Sequence, residues 1–248
     1  MTDNNETNNN TVAPLANVAL CLSTLERAVD RSLHLPGMVC MYGPAGYGKS
    51  TAASFAANEL DAYYVECKST WTKKAVLKAI LKEMGRPESG PVYELTDRIC
   101  EQLVLSNRPL IVDQLDHLVK RKDIECIRDL HDGSGAAILL IGEENLPSDL
   151  ERWECFHSRV IEWIPAQPAD INDCRHLANL YCKDVTIADD LLKKVCKSAK
   201  GSIRRICGNI EQIRTEAKNI GYDEITLEDW GDKPLYTGKA PARRRENA

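Results

Sequence analysis

One glycine-rich segment, residues 43–51, carries the residue types and spacing best suited to chemistry in this sequence. Its letters are GPAGYGKST, which match the pattern G-x-x-x-x-G-K-[ST] of loops that bind phosphate. Glycines let the backbone curl so that several N–H groups point at one anion, and a helix that follows directly adds the positive end of its dipole. We therefore predict a nucleoside triphosphate site here. The predicted contacts are Gly43, Pro44, Ala45, Gly46, Tyr47, Gly48, Lys49, Ser50 and Thr51.

Two side chains of this loop have separate predicted roles. Lys49 is a point charge that reaches the β- and γ-phosphates, and the hydroxyl of Ser50 is positioned to hold Mg²⁺. The surroundings agree, because the apolar residues 38–42 predict a buried strand before the loop and residues 49–60 predict a helix after it. ATP and Mg²⁺ are therefore the predicted cofactors.

A second chemical feature is an apolar run, LIV, that ends in Asp113. In P-loop nucleoside triphosphatases, an Asp at such a strand end completes the coordination of Mg²⁺. Asp113 is therefore predicted as a metal ligand beside Ser50. The next residue is Gln114, where many such ATPases carry Glu. An amide can position water but cannot accept its proton, so we expect catalysis of ATP hydrolysis to be slow. Either slow turnover is natural to the protein, or Gln114 was introduced to trap bound ATP.

The elements that must position these residues follow from hydrophobic periodicity. Short apolar runs predict strands at residues 38–42, 62–67, 109–112, 136–141 and 159–164. Amphipathic patterns predict helices at residues 17–33, 49–60, 72–84, 92–105 and 122–131. Strands that alternate with helices favour an α/β fold, a parallel sheet with helices on both faces.

The pattern changes after Pro165, and this change predicts the domain organisation. Residues 169–181, 187–199 and 203–220 predict helices, followed by a short turn at 226–230. We expect an α/β nucleotide domain over residues 13–165, an all-helical domain over 166–231 and a basic tail over 232–248. The polar, Asn-rich start predicts a disordered leader over residues 1–12 and does not resemble a signal peptide.

The composition argues against some classes of function. With 43% hydrophobic and 28% charged residues, the 248-residue chain predicts a packed, soluble core. No apolar run approaches the roughly 20 residues that span a bilayer, so we expect no membrane segment and a cytoplasmic protein. The net charge of −5 argues against a protein that binds nucleic acid over most of its surface. Local basic stretches occur at residues 193–205 and 243–245.

The order of motifs along the chain resembles that of the AAA+ superfamily. After the glycine-rich loop and Asp113 come the strand end IGE at residues 141–143, HSR at 157–159, and GSIR at 201–204 in the helical region. The resemblance covers about residues 15–240 and implies an AAA+ phosphate-loop domain followed by a small all-helical lid domain. Within the superfamily, the phrases VDQLDHLVKR and GSIRRICGNIE resemble transposition ATPases, such as the target-DNA activator B of Mu-like phages.

This resemblance implies roles for basic and polar residues outside the loop. Arg159 lies where relatives carry an arginine finger that enters the ATP site of a neighbouring subunit, with Arg152 as the competing candidate. Arg204 matches the lid residue that contacts the γ-phosphate, with Arg205 as the alternative. The alternative for either finger candidate is a surface ion pair.

The end of the fourth strand is where the superfamily places a polar sensor of the γ-phosphate. Glu143 occupies that place, and Asn145 is the alternative because a carboxylate suits a phosphate poorly.

The resemblance also implies a nucleic-acid partner. Relatives assemble as ATP-bound rings or helical filaments around duplex DNA and touch its backbone with residues after the second strand. Here that stretch is residues 68–74, in which Thr70, Lys73 and Lys74 are the predicted phosphate contacts. The alternative for the two lysines is a solvated helix face.

Taken together, these features lead to one main functional hypothesis. The protein is expected to be an ATP-dependent DNA-binding ATPase that forms homo-oligomers on duplex DNA and delivers target DNA to a transposase. One alternative is a helicase-loader or replication-initiator ATPase, which would carry the same motifs. Another is a nucleotide-switched signalling ATPase that does not bind DNA.

Overall fold

The computed structural model describes residues 12–32 and 34–238. The predicted leader up to residue 11 and the arginines at 243–245 lie outside the described residues. The chain divides into two compact units, one of them Ala16–Gln167 and the other Pro168–Ala248 together with Met1–Leu15.

The first unit is built on a five-stranded sheet in which all neighbouring strands run parallel. The strands are β1 (Met38–Tyr42), β2 (Tyr63–Glu66), β3 (Leu110–Asp113), β4 (Ile138–Gly142) and β5 (Val160–Pro165). Their order across the sheet is β2-β3-β4-β1-β5. The predicted parallel sheet is confirmed. Because the strands share one direction, the loops that leave their carboxyl ends meet along one side, here called the carboxyl edge of the sheet.

Helices connect these strands and cover both faces of the sheet. They are α1 (Ala16–Val29), α2 (Lys49–Glu59), α3 (Lys73–Glu83), α4 (Val92–Ser106), α5 (Asp116–Arg121), α6 (Glu125–Ser134), α7 (Leu146–Leu150) and α8 (Glu154–His157). Met38 and Cys40 of β1 join a buried cluster with α3, α4 and α6. Val39 and Met41 are equally buried but face the other side, where α1 and α2 pack together against the sheet. The predicted arrangement of helices on both faces is therefore confirmed.

The helix predicted at residues 122–131 differs from the structure. The observed helix, α6, begins three residues later at Glu125, and α5 precedes the predicted region; Lys122 lies between the two helices in a left-handed conformation with φ 61°. The Lys122 N–H caps the end of α5 by donating to the Leu118 and Val119 carbonyls. Helix α5 is not predicted from the sequence. It follows a strand closely and is only 6 residues long, which is too short for a helical periodicity to be recognised.

The described residues of the second unit form four helices: α9 (Ile171–Tyr181), α10 (Asp189–Ala199), α11 (Ile203–Ile220) and α12 (Leu227–Trp230). It was predicted to be all-helical, but a two-stranded parallel pair, β6 (Thr186–Ile187) with β7 (Glu224–Ile225), is also present. Capping explains where the helices begin, since Asp170 and Asp173 form a capping box on α9 and Ser202 caps α11. Among the described residues, no helix is long and apolar enough to cross a membrane.

Candidate active site

The loop of residues 43–51 leaves β1 at the carboxyl edge and ends where α2 begins. Gly43, Gly46 and Gly48 have φ values of 150°, 85° and 79°, a region that side-chain-bearing residues rarely adopt. At Gly43 there is also little space, because an added Cβ would lie 3.0 Å from the Ala166 Cβ. The loop conformation therefore depends on glycine at these positions, as expected of a backbone that curls around an anion.

Lys49 is the first residue of α2, and its side chain folds back over the loop. Its Nζ donates hydrogen bonds to the carbonyls of Gly43, at 2.6 Å, and Pro44, at 2.9 Å. The ammonium charge is thus held beside the curled backbone, where the predicted phosphates would lie. Ser50 and Thr51 follow in the first turn of α2 and are exposed.

Asp113 ends β3 at the same carboxyl edge and is almost fully buried, with 1% of its surface exposed. Its Oδ2 accepts a hydrogen bond from the Tyr64 hydroxyl at 2.8 Å, and its Oδ1 accepts one from the Gln114 N–H at 2.7 Å. Burial and the Asp113 charge raise the pKa of Tyr64. The Tyr64 hydroxyl therefore holds the Asp113 carboxylate at the carboxyl edge.

The start of α2 bears on the predicted Mg²⁺ site. Ser50 lies in the first turn of α2, directly after the glycine-rich loop, at the edge of the sheet where Asp113 ends β3. A hydroxyl and a carboxylate are oxygen ligands of the kind that Mg²⁺ takes beside nucleotide phosphates. The residues present fit the predicted ion, and the assignment of Ser50 and Asp113 as its ligands remains a prediction.

Gln114 occupies an unusual position beside Asp113. Its φ of 55° is left-handed, a conformation that costs a residue with a side chain roughly 1–2 kcal/mol and that clusters at functional sites. Its Nε2 donates a hydrogen bond to Glu66 Oε1, and its Oε1 lies 3.2 Å from His117 Nε2. Both ends of the amide are therefore held.

Glu66 was not identified by sequence analysis. It ends β2 and pairs in register with Asp113, so a carboxylate lies next to Gln114 at the carboxyl edge. The second predicted strand ends at residue 67, one residue beyond the observed end at Glu66. The sequence does indicate a carboxylate at this strand end, and the ends of neighbouring parallel strands lie side by side.

Asp116 points away from Gln114. It is buried, and its Oδ2 accepts a hydrogen bond of 2.9 Å from the Glu143 N–H after β4. Burial raises the pKa of Asp116. The predicted sensor candidates themselves face solvent: Glu143 is exposed and 3.8 Å from Lys120, and Asn145 is exposed at the start of α7. Their role as γ-phosphate sensors remains a prediction.

Arg159 precedes β5, at the edge of the sheet opposite the glycine-rich loop, where its carbonyl accepts a hydrogen bond from the Met38 N–H. Its Nε and Nη2 bond the two carboxylate oxygens of Asp132 at 3.1 and 3.0 Å. Arg152 is exposed and has no ion pair with any residue that the structure describes. In the second unit, Arg204 is exposed in the first turn of α11. The finger and lid roles of these arginines remain predictions.

The predicted DNA contacts Thr70, Lys73 and Lys74 are all exposed after β2. Asp123 brings a second basic segment beside them, because its Oδ2 accepts from the Lys73 N–H at 3.2 Å and lies 3.9 Å from Arg121 Nε. The residues of this second segment, at positions 120–122, are all basic and all exposed. We call the combined surface the α3–α5 basic surface; it consists of Lys73, Lys74, Lys120, Arg121 and Lys122.

The sequence matches one protein family, and the structure is similar to solved structures. The family described as "AAA domain" matches residues 32–150. The ORC2 protein of Aeropyrum pernix, solved in ADPNP–ADP complexes, has a TM-score of 0.68 at 17% identity over 88% of this chain and 67% of that chain. No protein of curated function matches the sequence.

Two further solved structures are similar. The Aeropyrum pernix ORC1 protein in complex with DNA has a TM-score of 0.64 at 18% identity over 90% of this chain and 66% of that one. Domain III of the replication initiation protein DnaA of Thermotoga maritima has a TM-score of 0.55 at 17% identity over 88% of this chain and 90% of that one. At such identities the likeness concerns the fold, and the chain spans about two thirds of the length of both ORC proteins.

Proposed function

We propose that this chain, which has the AAA+ P-loop fold, is an ATPase that binds duplex DNA when ATP is bound. The observation that carries the proposal is the meeting of the glycine-rich loop and Asp113 at one edge of the sheet, where the Tyr64 hydroxyl holds the Asp113 carboxylate. A phosphate cradle next to a buried carboxylate and a helix hydroxyl is the arrangement required to hold a nucleotide with its metal ion.

Each part of the site has a defined task in this proposal. The loop N–H groups and Lys49 bind the phosphates, and Ser50 and Asp113 hold Mg²⁺, which when bound neutralises charge on the phosphate oxygens. Tyr64 fixes the Asp113 carboxylate through its 2.8 Å hydrogen bond. Gln114, held at both ends of its amide, positions the water that attacks.

The DNA-binding part of the proposal is supported by the α3–α5 basic surface. Its five cationic side chains reach solvent, and lysines bind phosphate as flexible point charges without reading bases. Thr70 adds an exposed hydroxyl beside them. A protein of the same fold, ORC1, was solved in complex with DNA. We therefore propose sequence-independent contacts with the duplex backbone, made by a homo-oligomer that assembles as a ring or helical filament when ATP is bound.

The fold comparisons favour one class of biological role within this proposal. The similar structures include ORC proteins and DnaA domain III, a replication initiation protein. An initiator or helicase-loader ATPase is therefore the role that we propose first. Delivery of target DNA to a transposase is the second candidate, supported by the resemblance of residues 112–121 and 201–211 to transposition ATPases. Co-purification of a helicase or of a transposase distinguishes the two roles.

The experiment that tests the proposal is electron microscopy with and without duplex DNA and a non-hydrolysable ATP analogue. We expect ordered oligomers on DNA only when the analogue is present, and none with the Lys49→Ala variant. Nucleotide binding without DNA binding would instead favour a signalling ATPase. Failure of the intact protein to bind ATP would overturn the proposed function as a whole.

A further inference from the structure

We propose that Glu66 is the carboxylate that accepts the proton of the attacking water, in place of the residue after Asp113. The inference rests on the proposed ATPase function and concerns the chemical step alone. It starts from the problem that Gln114 creates: the position next to the metal ligand holds an amide, which has no basic site for a proton. The structure places a carboxylate against that amide.

The placement of Glu66 follows from strand register. Glu66 pairs with Asp113 across the parallel β2–β3 ladder, and neighbouring strands lie about 4.8 Å apart. The left-handed turn at Gln114 carries its side chain toward β2, where Nε2 meets Glu66 Oε1. Glu66 is exposed, so its carboxylate is open to solvent at the carboxyl edge.

The chemistry of the contact also assigns the amide orientation. Gln114 Nε2 must face Glu66, because the reverse orientation would set the amide oxygen against a carboxylate oxygen. The amide oxygen then faces His117 Nε2 at 3.2 Å, which is a hydrogen bond when that nitrogen carries the proton. One lone pair of Gln114 Oε1 is left to hold the water molecule that the proposal requires, on an amide whose other end contacts Glu66.

The other carboxylates near Gln114 are less suited to the task. Both oxygens of Asp113 already accept hydrogen bonds, and the residue is buried. Asp116 is buried and bonded to the Glu143 N–H. Among the described residues that contact the Gln114 side chain, Glu66 is the one that combines a carboxylate with exposure.

The proposed step conserves atoms and electrons. The oxygen of the water held by Gln114 forms a bond to the γ-phosphorus of ATP while the bond from that phosphorus to the β–γ bridging oxygen breaks. The water proton passes to Glu66, the bond electrons leave with the bridging oxygen of ADP, and inorganic phosphate is released. Glu66 then returns the proton to solvent. Under this proposal the protein turns over ATP, and the slow hydrolysis expected from Gln114 alone does not apply.

The test compares Glu66→Gln with a swapped variant, Glu66→Gln combined with Gln114→Glu. The first change keeps size and hydrogen bonding but removes the proton acceptor, and the second returns a carboxylate on the neighbouring strand. Glu83→Gln, an exposed position at the far end of α3, is the matched control. Three quantities are measured with Mg²⁺ and duplex DNA: phosphate release, ATP affinity, and the identity of the nucleotide that remains bound after incubation.

We expect Glu66→Gln to lower kcat by about 10²-fold or more, the scale of general-base catalysis, with unchanged ATP affinity. Its bound nucleotide should remain ATP, whereas the wild type should hold ADP, and the swapped variant should recover at least part of the rate. The inference is overturned if Glu66→Gln turns over like the wild type, if the swapped variant is no faster than Glu66→Gln, or if the wild type binds ATP without hydrolysing it. If the wild type does not bind ATP, or binds it equally well without Lys49, the proposed function itself is overturned.

Discussion

The hydroxyl of Tyr64 on β2 donates a 2.8 Å hydrogen bond to the carboxylate of Asp113 on β3. This hydrogen bond satisfies one oxygen of a nearly buried carboxylate, which is also a predicted ligand of Mg²⁺. It also connects the second strand of the sheet to the site that the glycine-rich loop forms. Tyr64 is therefore a positioning residue, and its removal should change the orientation of the Asp113 carboxylate.

We predict that Tyr64→Phe lowers the free energy of unfolding by about 1–3 kcal/mol, because a buried acceptor loses its donor. It should also raise the Mg²⁺ concentration needed for ATP binding, since Asp113 is no longer oriented. The matched control is Tyr93→Phe, whose hydroxyl is bonded at the surface to Glu94 and should change stability by less than about 0.5 kcal/mol. Urea denaturation and Mg²⁺ titrations of ATP binding measure the two effects. Equal behaviour of the two variants would show that Tyr64 does not support the site.

Lys49→Ala should abolish measurable ATP binding while the fold remains intact. Removal of its charge beside a polyanion should cost on the order of 2–4 kcal/mol of binding free energy, the scale for truncating one partner of a close charge pair. Calorimetry measures the affinity, and circular dichroism checks the fold. Lys82→Ala, an exposed lysine on α3, is the control. Affinity like that of the wild type in Lys49→Ala would contradict the phosphate-loop assignment.

The arginine finger can be identified by mixing variants. If Arg159 acts in a neighbouring subunit it must leave its bidentate pair with Asp132, whereas Arg152 has no ion pair to break among the described residues. We predict that Arg159→Ala lowers turnover by about 10³-fold or more, the scale of a finger, and that mixing it with Lys49→Ala restores some activity at hybrid interfaces.

Two control variants separate this role from a local ion pair. Asp132→Ala removes the partner of Arg159 and should leave turnover intact, and Arg152→Ala tests the competing candidate. No recovery at any mixing ratio would count against a finger at Arg159. A loss that appears only in Arg152→Ala would transfer the assignment to Arg152.

DNA binding should depend on charge and not on base sequence. If Lys73 and Lys74 bind phosphates, replacing both with Ala should weaken ATP-dependent binding equally for all duplexes. The log–log salt slope should become shallower by about 0.9 for each phosphate that the variant no longer neutralises. A salt titration of wild type against the double variant measures this, and assembly with ATP should persist.

The double change Lys193→Ala and Lys194→Ala supplies the comparison, because it tests the basic stretch of α10. Identical slopes for wild type and the Lys73/Lys74 variant would mean that these lysines form only a solvated helix face. A slope change in the α10 variant alone would locate the DNA surface in the second unit.

His131 should make stability fall in mild acid. It is buried between two loops: its Nδ1 faces the Ala136 carbonyl at 3.0 Å, and its Nε2 faces the Gly37 N–H at 3.4 Å. Burial lowers the pKa of His131 in the folded protein. The stabilisation is therefore fully present above the unfolded pKa, about 6.5, and is lost as the pH falls through the lower folded pKa.

The measurement is the thermal midpoint as a function of pH for wild type and His131→Gln. Glutamine keeps hydrogen-bonding groups but does not titrate, so the variant should lose less stability than the wild type between about pH 7 and 5. Parallel profiles would show that His131 is not responsible for acid sensitivity.

Much of the fold follows from local sequence. The five strands were predicted because each is a short apolar run between turn signals, and alternation with helices predicted the parallel sheet. The loop at residues 43–51 and Asp113 were identified because phosphate binding demands a contiguous pattern and a carboxylate at a strand end.

The contacts within the site were decided by tertiary structure. Gln114 and Glu66 are 48 positions apart and meet only through the β2–β3 register and the left-handed turn at Gln114. Arg159 and Asp132, 27 positions apart, form their ion pair because the segment before β5 packs beside α6. Local propensity and periodicity report how a segment faces its core, but they carry no information about which distant strand or helix becomes its neighbour. The proton acceptor that we propose therefore became visible only when parallel strand ends were placed side by side.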